Sequence, residues 1–371
     1  MKKSIKIVSL ILTIAMIACC FASCGKSGSD TYFIGATGPL TGDNMSYGVS
    51  VKNGASLAIE EINAAGGLNG VKFSFDMLDD KSNAADASTG YDQLFDKGMQ
   101  ISIGSVTSGS CEAFASKAAQ DGLFFITPSA SAANVIADRP TAFRVCFGDP
   151  DQGVLAAQNL AKNFTKIGAI YDSSNDYSTG IYDAFKGEMA KLGVSYKEQS
   201  FDKENNRDFT TQVEALKDCD AIFLPIYYTE AGLIAKACVA KGSNAVLFGC
   251  DGLDGVAGQI DGTVTNQIKY ITPFDVNSSD SKVSSFVNAY KAKYNEAPDQ
   301  FAADGYDAVY VIFEAMKAAG INDVNIGHKE LSDKVIAAIT ADGFSYKGAT
   351  GEMTWDATGA CTKVPQIVEL G

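Results

Sequence analysis

Residues 32–78 read YFIGATGPLTGDNMSYGVSVKNGASLAIEEINAAGGLNGVKFSFDML, and the fold is decided here. Tyr32 to Ala36 is a short apolar run of strand length, and Tyr47 to Ala64 carries apolar residues at helical spacing before Gly66-Gly67 stops it. Val71 to Leu78 is apolar again and alternates like a strand. Strand, helix and strand in this order form a βαβ unit, which requires a parallel sheet with helices packed on its faces.

The rhythm continues outward. Ala84 to Lys97 and Cys111 to Asp121 read as helices, and Gln100 to Gly104 and Leu123 to Thr127 as strands, the last closed by Pro128. It restarts with helix Gln152 to Asn163, strand Lys166 to Tyr171, helix Gly180 to Leu192, strand Val194 to Phe201, helix Asp208 to Lys217 and strand Asp220 to Ile226. Each half sets a Gly/Ser/Asp loop holding a tyrosine, Tyr47 or Tyr177, after an Ile-Gly strand. This duplication predicts an α/β protein of two similar doubly wound lobes, with the ligand cleft at the strands' carboxyl ends between them. Helices follow at Lys282 to Tyr294, Phe301 to Ala319 and Glu330 to Thr340, and strands at Gly351 to Trp355 and Val364 to Leu370.

The N-terminal end reads differently. Lys2, Lys3 and Lys6 precede an apolar stretch from Ile7 to Ala22 that ends in Phe21-Ala22-Ser23-Cys24. We read residues 1–23 as a signal peptide and Cys24 as a lipid-modified residue that ties the chain to a membrane. Residues 24–30 are then a polar leash. Loss of residues 1–23 removes three lysines and no acid, so the formal charge goes from −14 to −17, 27 basic against 44 acidic. Such acidity excludes nucleic acid as a partner. Of the nine cysteines, Cys111, Cys146, Cys219, Cys238, Cys250 and Cys361 remain, without Cys-x-x-Cys spacing. Disulfides by several connectivities are open to them, but free, buried thiols are expected.

Catalytic machinery is not expected. Gly35-Ala36-Thr37-Gly38-Pro39-Leu40-Thr41 follows a strand as a dinucleotide loop does, but Thr41 stands where the third glycine belongs and Pro39 has no N–H for a phosphate. The single histidine, His328, lies in a polar segment and reads as a surface residue. The pairs Asp79-Asp80 and Glu60-Glu61 read as turn caps or solvated faces. No metal or other cofactor is expected. Two hydroxyl-rich loops leave adjacent strands instead: Gly104-Ser105-Val106-Thr107-Ser108-Gly109-Ser110, which opens a helix, and Thr127-Pro128-Ser129-Ala130-Ser131. Hydroxyls and backbone N–H groups at a helix start suit a carboxylate. In the second half Tyr177, Tyr227-Tyr228 and Asp251 stand at strand ends. An acid opposite a carboxylate-binding loop would take an ammonium, and together they would bind an amino-acid zwitterion.

These residues resemble the leucine/isoleucine/valine-binding proteins, substrate-binding subunits of branched-chain amino acid ABC transporters with the type I periplasmic-binding fold. The resemblance runs from Tyr32 to about Pro365. It rests on residues 34–42 with Tyr47-Gly48, on Ala58 to Gly67, on Asp79-Asp80, on both hydroxyl loops, and on Phe143-Arg144, Asp151-Gln152-Gly153, Tyr306-Asp307-Ala308 and Gly351 to Trp355. It implies that Ser108 and the N–H groups of Ser108 and Ser131 hold the ligand carboxylate. It further implies that the Ser129 carbonyl, the Ser131 hydroxyl and Asp251 hold the ammonium, around Ala130, and that Tyr47, Val106, Tyr177, Tyr227 and Phe301 wall the side chain. Three crossovers near Gly148, Thr272 and Gly359 would hinge one lobe, 31–148 with 273–358, on the other, 149–272 with 359–371. The chain departs from the family pattern at Asp251, where glutamate is common, and at Ser129 and Ser131, where alanine and threonine are frequent. The cysteine pair of some members is half present, at a shifted Cys111. The implied protein is a monomer that delivers an amino acid to ABC permease subunits. A sensory module of the same fold is the alternative, and it would need a signalling partner.

Overall fold

The computed structural model describes residues 30–370; the expected signal segment, Cys24 and the leash up to Ser29 lie outside the described residues. The first sheet joins β1 (Thr31–Gly38), β2 (Lys72–Asp79), β3 (Ile101–Ser102), β4 (Phe125–Thr127) and β5 (Ala142–Arg144) in the order β2-β1-β3-β4-β5, all parallel. The second joins β6 (Ile167–Asp172), β7 (Lys197–Phe201), β8 (Ala221–Leu224), β9 (Val246–Gly249) and β10 (Ile268–Thr272) in the order β7-β6-β8-β9-β10. The two orders are the same permutation, so the duplication read in the sequence is a duplication of topology. After β11 (Tyr346–Gly348), β12 (Gly351–Trp355) and β13 (Cys361–Thr362), which form a small antiparallel sheet, β14 (Gln366–Glu369) adds antiparallel to β10.

The helices of the first lobe are α1 (Met45–Ala64), α2 (Ala84–Asp96) and α3 (Ser108–Asp121), and those of the second are α4 (Asp149–Asn163), α5 (Asp176–Leu192), α6 (Thr210–Leu216) and α7 (Tyr228–Lys241). The chain then supplies α8 (Ser281–Tyr294), α9 (Gln300–Ala318) and α10 (His328–Ile339). Parallel strands must be buried on both faces, and β4, β5 and β8 are buried throughout. The closest helix pair of the first lobe is α1 on α9. A Cβ at Gly54 would lie 1.9 Å from the Ala302 carbonyl oxygen, so only glycine permits this crossing.

The chain passes between the two sheets three times, after β5, after β10 and after β13, the last just beyond the position expected near Gly359 because β13 (Cys361–Thr362) still pairs with β12. The first and the third are pinned to each other: the Arg144 N–H donates to the Gly359 carbonyl at 3.1 Å and the Trp355 indole to the Arg144 carbonyl at 2.7 Å. Behind them Lys363, with no side-chain exposure, pairs with Asp304 at 3.1 Å and donates to Thr350 Oγ1 at 2.6 Å. Burial of two charges is tolerated only with such full pairing.

Element boundaries moved mostly where caps decide. Asn175 accepts from the Tyr177 N–H at 3.0 Å and starts α5 at Asp176, so Tyr177 is on the helix and not in the preceding loop. Ser108 to Ser110 are already the first turn of α3, and Tyr227 is the cap residue of α7, with β8 ending at Leu224. The cysteines at 111, 146, 219, 238, 250 and 361 are free thiols, buried except Cys361, which is half-buried.

Candidate functional site

The cleft opens where both sheets switch strand order, between β1 and β3 and between β6 and β8, the place at which open α/β sheets bind ligands. Loop 104–110 leaves β3 and enters α3. Thr107 caps α3 in position only, for no side chain takes its first N–H groups. The Ser108 hydroxyl accepts from the Ala132 N–H at 3.2 Å and keeps its own proton for a further acceptor. An uncapped helix start with a spare hydroxyl is complementary to an anion.

Asp80 holds this loop in place. It is fully buried, takes the Ser105 hydroxyl at 2.6 Å and the Ser82 N–H at 2.9 Å, and burial raises its pKa against the lowering by Ser105. The second loop is stitched to the first: Thr127 Oγ1 donates to the Ser105 carbonyl at 2.7 Å and Ser129 Oγ to the Val106 carbonyl at 2.8 Å. Ser129 thus spends its hydroxyl proton on Val106 and offers a ligand its carbonyl and the lone pairs of its hydroxyl. Its neighbour Ala130 turns its side chain into the core beneath α3.

From the other lobe comes Asp251, 4% exposed, which accepts from the Tyr177 hydroxyl at 2.6 Å. The Tyr177 hydroxyl in turn accepts from the Gly252 N–H at 2.8 Å, so this tyrosine orients the acid besides walling the cleft. Two residues outside the sequence expectation complete its support. Gln152 accepts the Asp251 N–H at 3.0 Å, and Gln300, at the start of α9, donates to the Asp251 carbonyl at 3.0 Å. Burial pushes the Asp251 carboxyl up to about 6, with the Tyr177 hydrogen bond opposing.

The aromatic residues close the remaining side. Tyr47 packs on Phe301 with ring centroids 4.1 Å apart and meets Tyr227 edge-on at 5.6 Å, while Tyr227 stacks on Tyr177 at 4.9 Å. The Tyr47 hydroxyl donates to the Gly252 carbonyl and accepts from the Tyr228 N–H at 3.1 Å, two bonds that bridge the lobes. The lobes are thus closed on each other, and Thr229 Oγ1 on the Asp43 carbonyl at 2.9 Å adds to the seam.

Eight of the expected residues line one small cavity: Tyr47, Val106, Ser108, Ser129, Tyr177, Tyr227, Asp251 and Phe301, joined by Thr107 and Gly252. Ala130 and Ser131 do not line it; both are fully buried behind it. A larger, open depression of about 750 Å³ lies on the hinge side, lined by Asp138, Arg139, Pro140, Arg144, Pro150 and Asp151 among others. No cluster of three or more His, Cys, Asp or Glu that could hold a metal occurs among the described residues. His328 is half-buried at the start of α10, its Nε2 3.0 Å from the Asp121 carbonyl oxygen.

Comparison with known proteins agrees with this architecture. The chain is 30% identical over 336 residues to the Leu/Ile/Val-binding protein BraC3 of Rhizobium johnstonii, covering 89% of this chain and 88% of the relative. It is 27% identical to the leucine-, isoleucine-, valine-, threonine- and alanine-binding protein of Pseudomonas aeruginosa, covering 97% and 94%. Among solved structures, the branched-chain amino acid transporter substrate-binding protein LivJ of Streptococcus pneumoniae, in complex with isoleucine, superposes with a TM-score of 0.81 at 29% identity, covering 91% and 95%. The leucine-binding protein LivK of Thermotoga maritima gives 0.81 at 26% identity over 91% and 95%. Residues 31–364 match the periplasmic binding protein family, and with this fold and interlobe cleft the chain belongs to that family.

Proposed function

We propose that the protein is the extracytoplasmic solute receptor of an ABC importer and captures an amino acid with a branched or otherwise apolar side chain. The observation that carries this reading is the opposition, across one small cavity, of an uncapped helix start bearing Ser108 to a buried Asp251 from the other lobe. One end takes a carboxylate and the other an ammonium, and Val106, Tyr47, Tyr227 and Phe301 between them offer the side chain an apolar wall. The Ser129 carbonyl, on the loop beside Ser108, supplies a neutral acceptor to the same ammonium. Ligand capture stabilises the closed form, and the three crossovers act as the hinge. Nothing in the cavity pairs a nucleophile with a base, which fits a receptor that releases its ligand unchanged to a permease.

Residues 1–23 are removed on export in this reading, and Cys24 carries the lipid that keeps the receptor at the membrane. Intact mass of the mature N-terminal peptide tests it: a diacylglyceryl adduct on Cys24 is expected, and an unmodified N-terminus refutes it. For the ligand, a thermal-shift panel of free L-amino acids is followed by calorimetric titration of those that raise Tm. L-Leucine, L-isoleucine or L-valine is expected to bind, and Ser108→Ala to weaken it about tenfold or more. If no amino acid binds, the reading falls.

A further inference from the structure

Outside the ligand cavity, closure of the lobes sets two acids against one helix start. Asp254 belongs to the second lobe, in the turn after β9, and its Oδ2 accepts the Gln300 N–H at 2.9 Å, so an acid of one lobe caps a helix of the other. Asp299 is the own cap of that helix, α9: its Oδ1 accepts from the Ala302 N–H at 2.8 Å and its Oδ2 from the Ser50 hydroxyl of α1 at 2.6 Å. Two half-buried carboxyls thus converge from opposite lobes. Neither pairs with a lysine, arginine or histidine among the described residues. The titratable groups that face them are phenols and further acids. Tyr270 of β10 donates to Asp254 Oδ1 at 3.5 Å, and Asp304 of α9 adds its charge to Asp254. Glu296, in the loop before α9, and Tyr290 of α8 stand near Asp299. Lys363, the buried cation of this region, is already held by Asp304. Withdrawal from water pushes both carboxyls above the usual range, and the charge of Asp254 pushes Asp299 further in the same direction.

Two carboxylates brought together without a cation repel each other, and a proton taken up by the pair relieves the repulsion. When the lobes part, each acid faces water and loses its neighbour. Building on the receptor reading above, we propose that Asp254 and Asp299 form a proton-linked latch between the lobes, so that closure on a ligand takes a proton from solvent into the pair. No covalent bond changes; the buffer supplies the proton and receives it back on release. The sign follows from the closed form having the higher proton affinity. The latch favours closure fully at pH values below the ordinary carboxylate range, and its contribution is lost as pH rises through the raised range of the closed pair. Asp251 works in the opposite sense and lower on the scale, at about 6, because it must be charged to hold an ammonium. A receptor with both groups captures best between these limits and lets go more readily as the medium turns alkaline.

The test is titration calorimetry of the intact chain with L-leucine at pH 7 in buffers of different ionisation enthalpy, which counts the protons exchanged for each ligand bound. The parent is expected to take up a net fraction of a proton, and its affinity to rise as pH falls from 8.5 to 6.5, by up to about tenfold per unit for each proton taken up. Asp254→Asn keeps an oxygen for the Gln300 N–H and removes the charge. It is expected to lose most of the uptake and to bind L-leucine severalfold tighter than the parent at pH 8.5, a gain that damage to the fold does not produce. Ser50→Ala withdraws the hydroxyl that favours charged Asp299, and is expected to increase the uptake. Equal proton uptake by Asp254→Asn and the parent overturns the proposal, as does weaker binding by Asp254→Asn at every pH. Should Asp254→Asn fail to fold, Ser50→Ala raises the uptake or the proposal fails. If the parent binds L-leucine and exchanges no protons at pH 7, this inference is wrong and the receptor reading stands. If the parent binds no amino acid, both fall together.

Discussion

Tyr47→Phe removes one oxygen atom from the seam between the lobes and leaves everything else in place. The ring keeps its contact with Phe301, at 4.1 Å between centroids, and its edge on Tyr227. What goes is the bridge from the Gly252 carbonyl to the Tyr228 N–H. Tyr47 is 1% exposed, so in the closed form water does not replace the hydroxyl, whereas in an open form both backbone groups reach solvent. The penalty therefore falls on closure. Leaving buried polar groups without partners costs about 1–3 kcal/mol, and Tyr228, as the first residue of α7, has no intrahelical acceptor to fall back on. A closed state weakened by that amount binds about 5–150-fold less tightly. Titration calorimetry with L-leucine reads the loss. Denaturant unfolding of the ligand-free protein is expected to change by less, since the open form makes no use of the bridge. An affinity within about twofold of the parent refutes the closure argument.

Other perturbations bear on separate features. Lys363→Met leaves Asp304 buried without its cation and is expected to destabilise the fold by about 3–5 kcal/mol in denaturant unfolding, with recovery in the Lys363→Met/Asp304→Leu double variant. Gly54→Ala drives a methyl into the Ala302 carbonyl and is expected to cost about 1–3 kcal/mol by the same measurement; no loss means that α1 and α9 do not meet there. Asp251 titrates at about 6 in the fold against an ordinary 3.8, so the fold favours its protonated form. Its contribution to stability is complete below about pH 4 and is lost as pH rises toward 6, while ammonium binding needs the charged form and runs the other way. Affinity for L-leucine is expected to fall below pH 6 by up to about tenfold per unit, and Asp251→Asn is expected to remove that part of the slope.

The alternation of strands and helices was legible from residue 32 onward because periods of two and of about 3.6 are local properties, and Gly66-Gly67 marks its stop without tertiary help. Several elements escaped that reading, β5, β10 and α7 among them. β5 and β10 are short strands whose partners lie far along the chain, and α7, YTEAGLIAKACVAK, is apolar around most of its circumference, so no face stands out. At the site, Ser108 and Asp251 were visible as residue types at strand ends, and the aromatic wall followed from the family pattern. Ala130 and Ser131 share a loop with Ser129, but the turn that presents the Ser129 backbone to the cavity sends them behind it. Asp80 was read as a solvated turn cap and is fully buried. Gln152 entered only as part of the family pattern and Gln300 not at all, because their amides acquire meaning only from the Asp251 backbone they hold.

The second sheet is an insertion in the first lobe: its five parallel strands are made after β5 and before the α9 that covers α1. A chain emerging from the ribosome thus presents the apolar side of α1, with Val51, Ala55, Ala58 and Ile62, long before residues 300–318 exist to bury it. Contacts of such wide sequence separation form late and set a slow folding rate. For a polypeptide bound for export that delay is an advantage, since a first lobe that cannot close on itself stays loose enough to be threaded across a membrane and completes its core only on the far side.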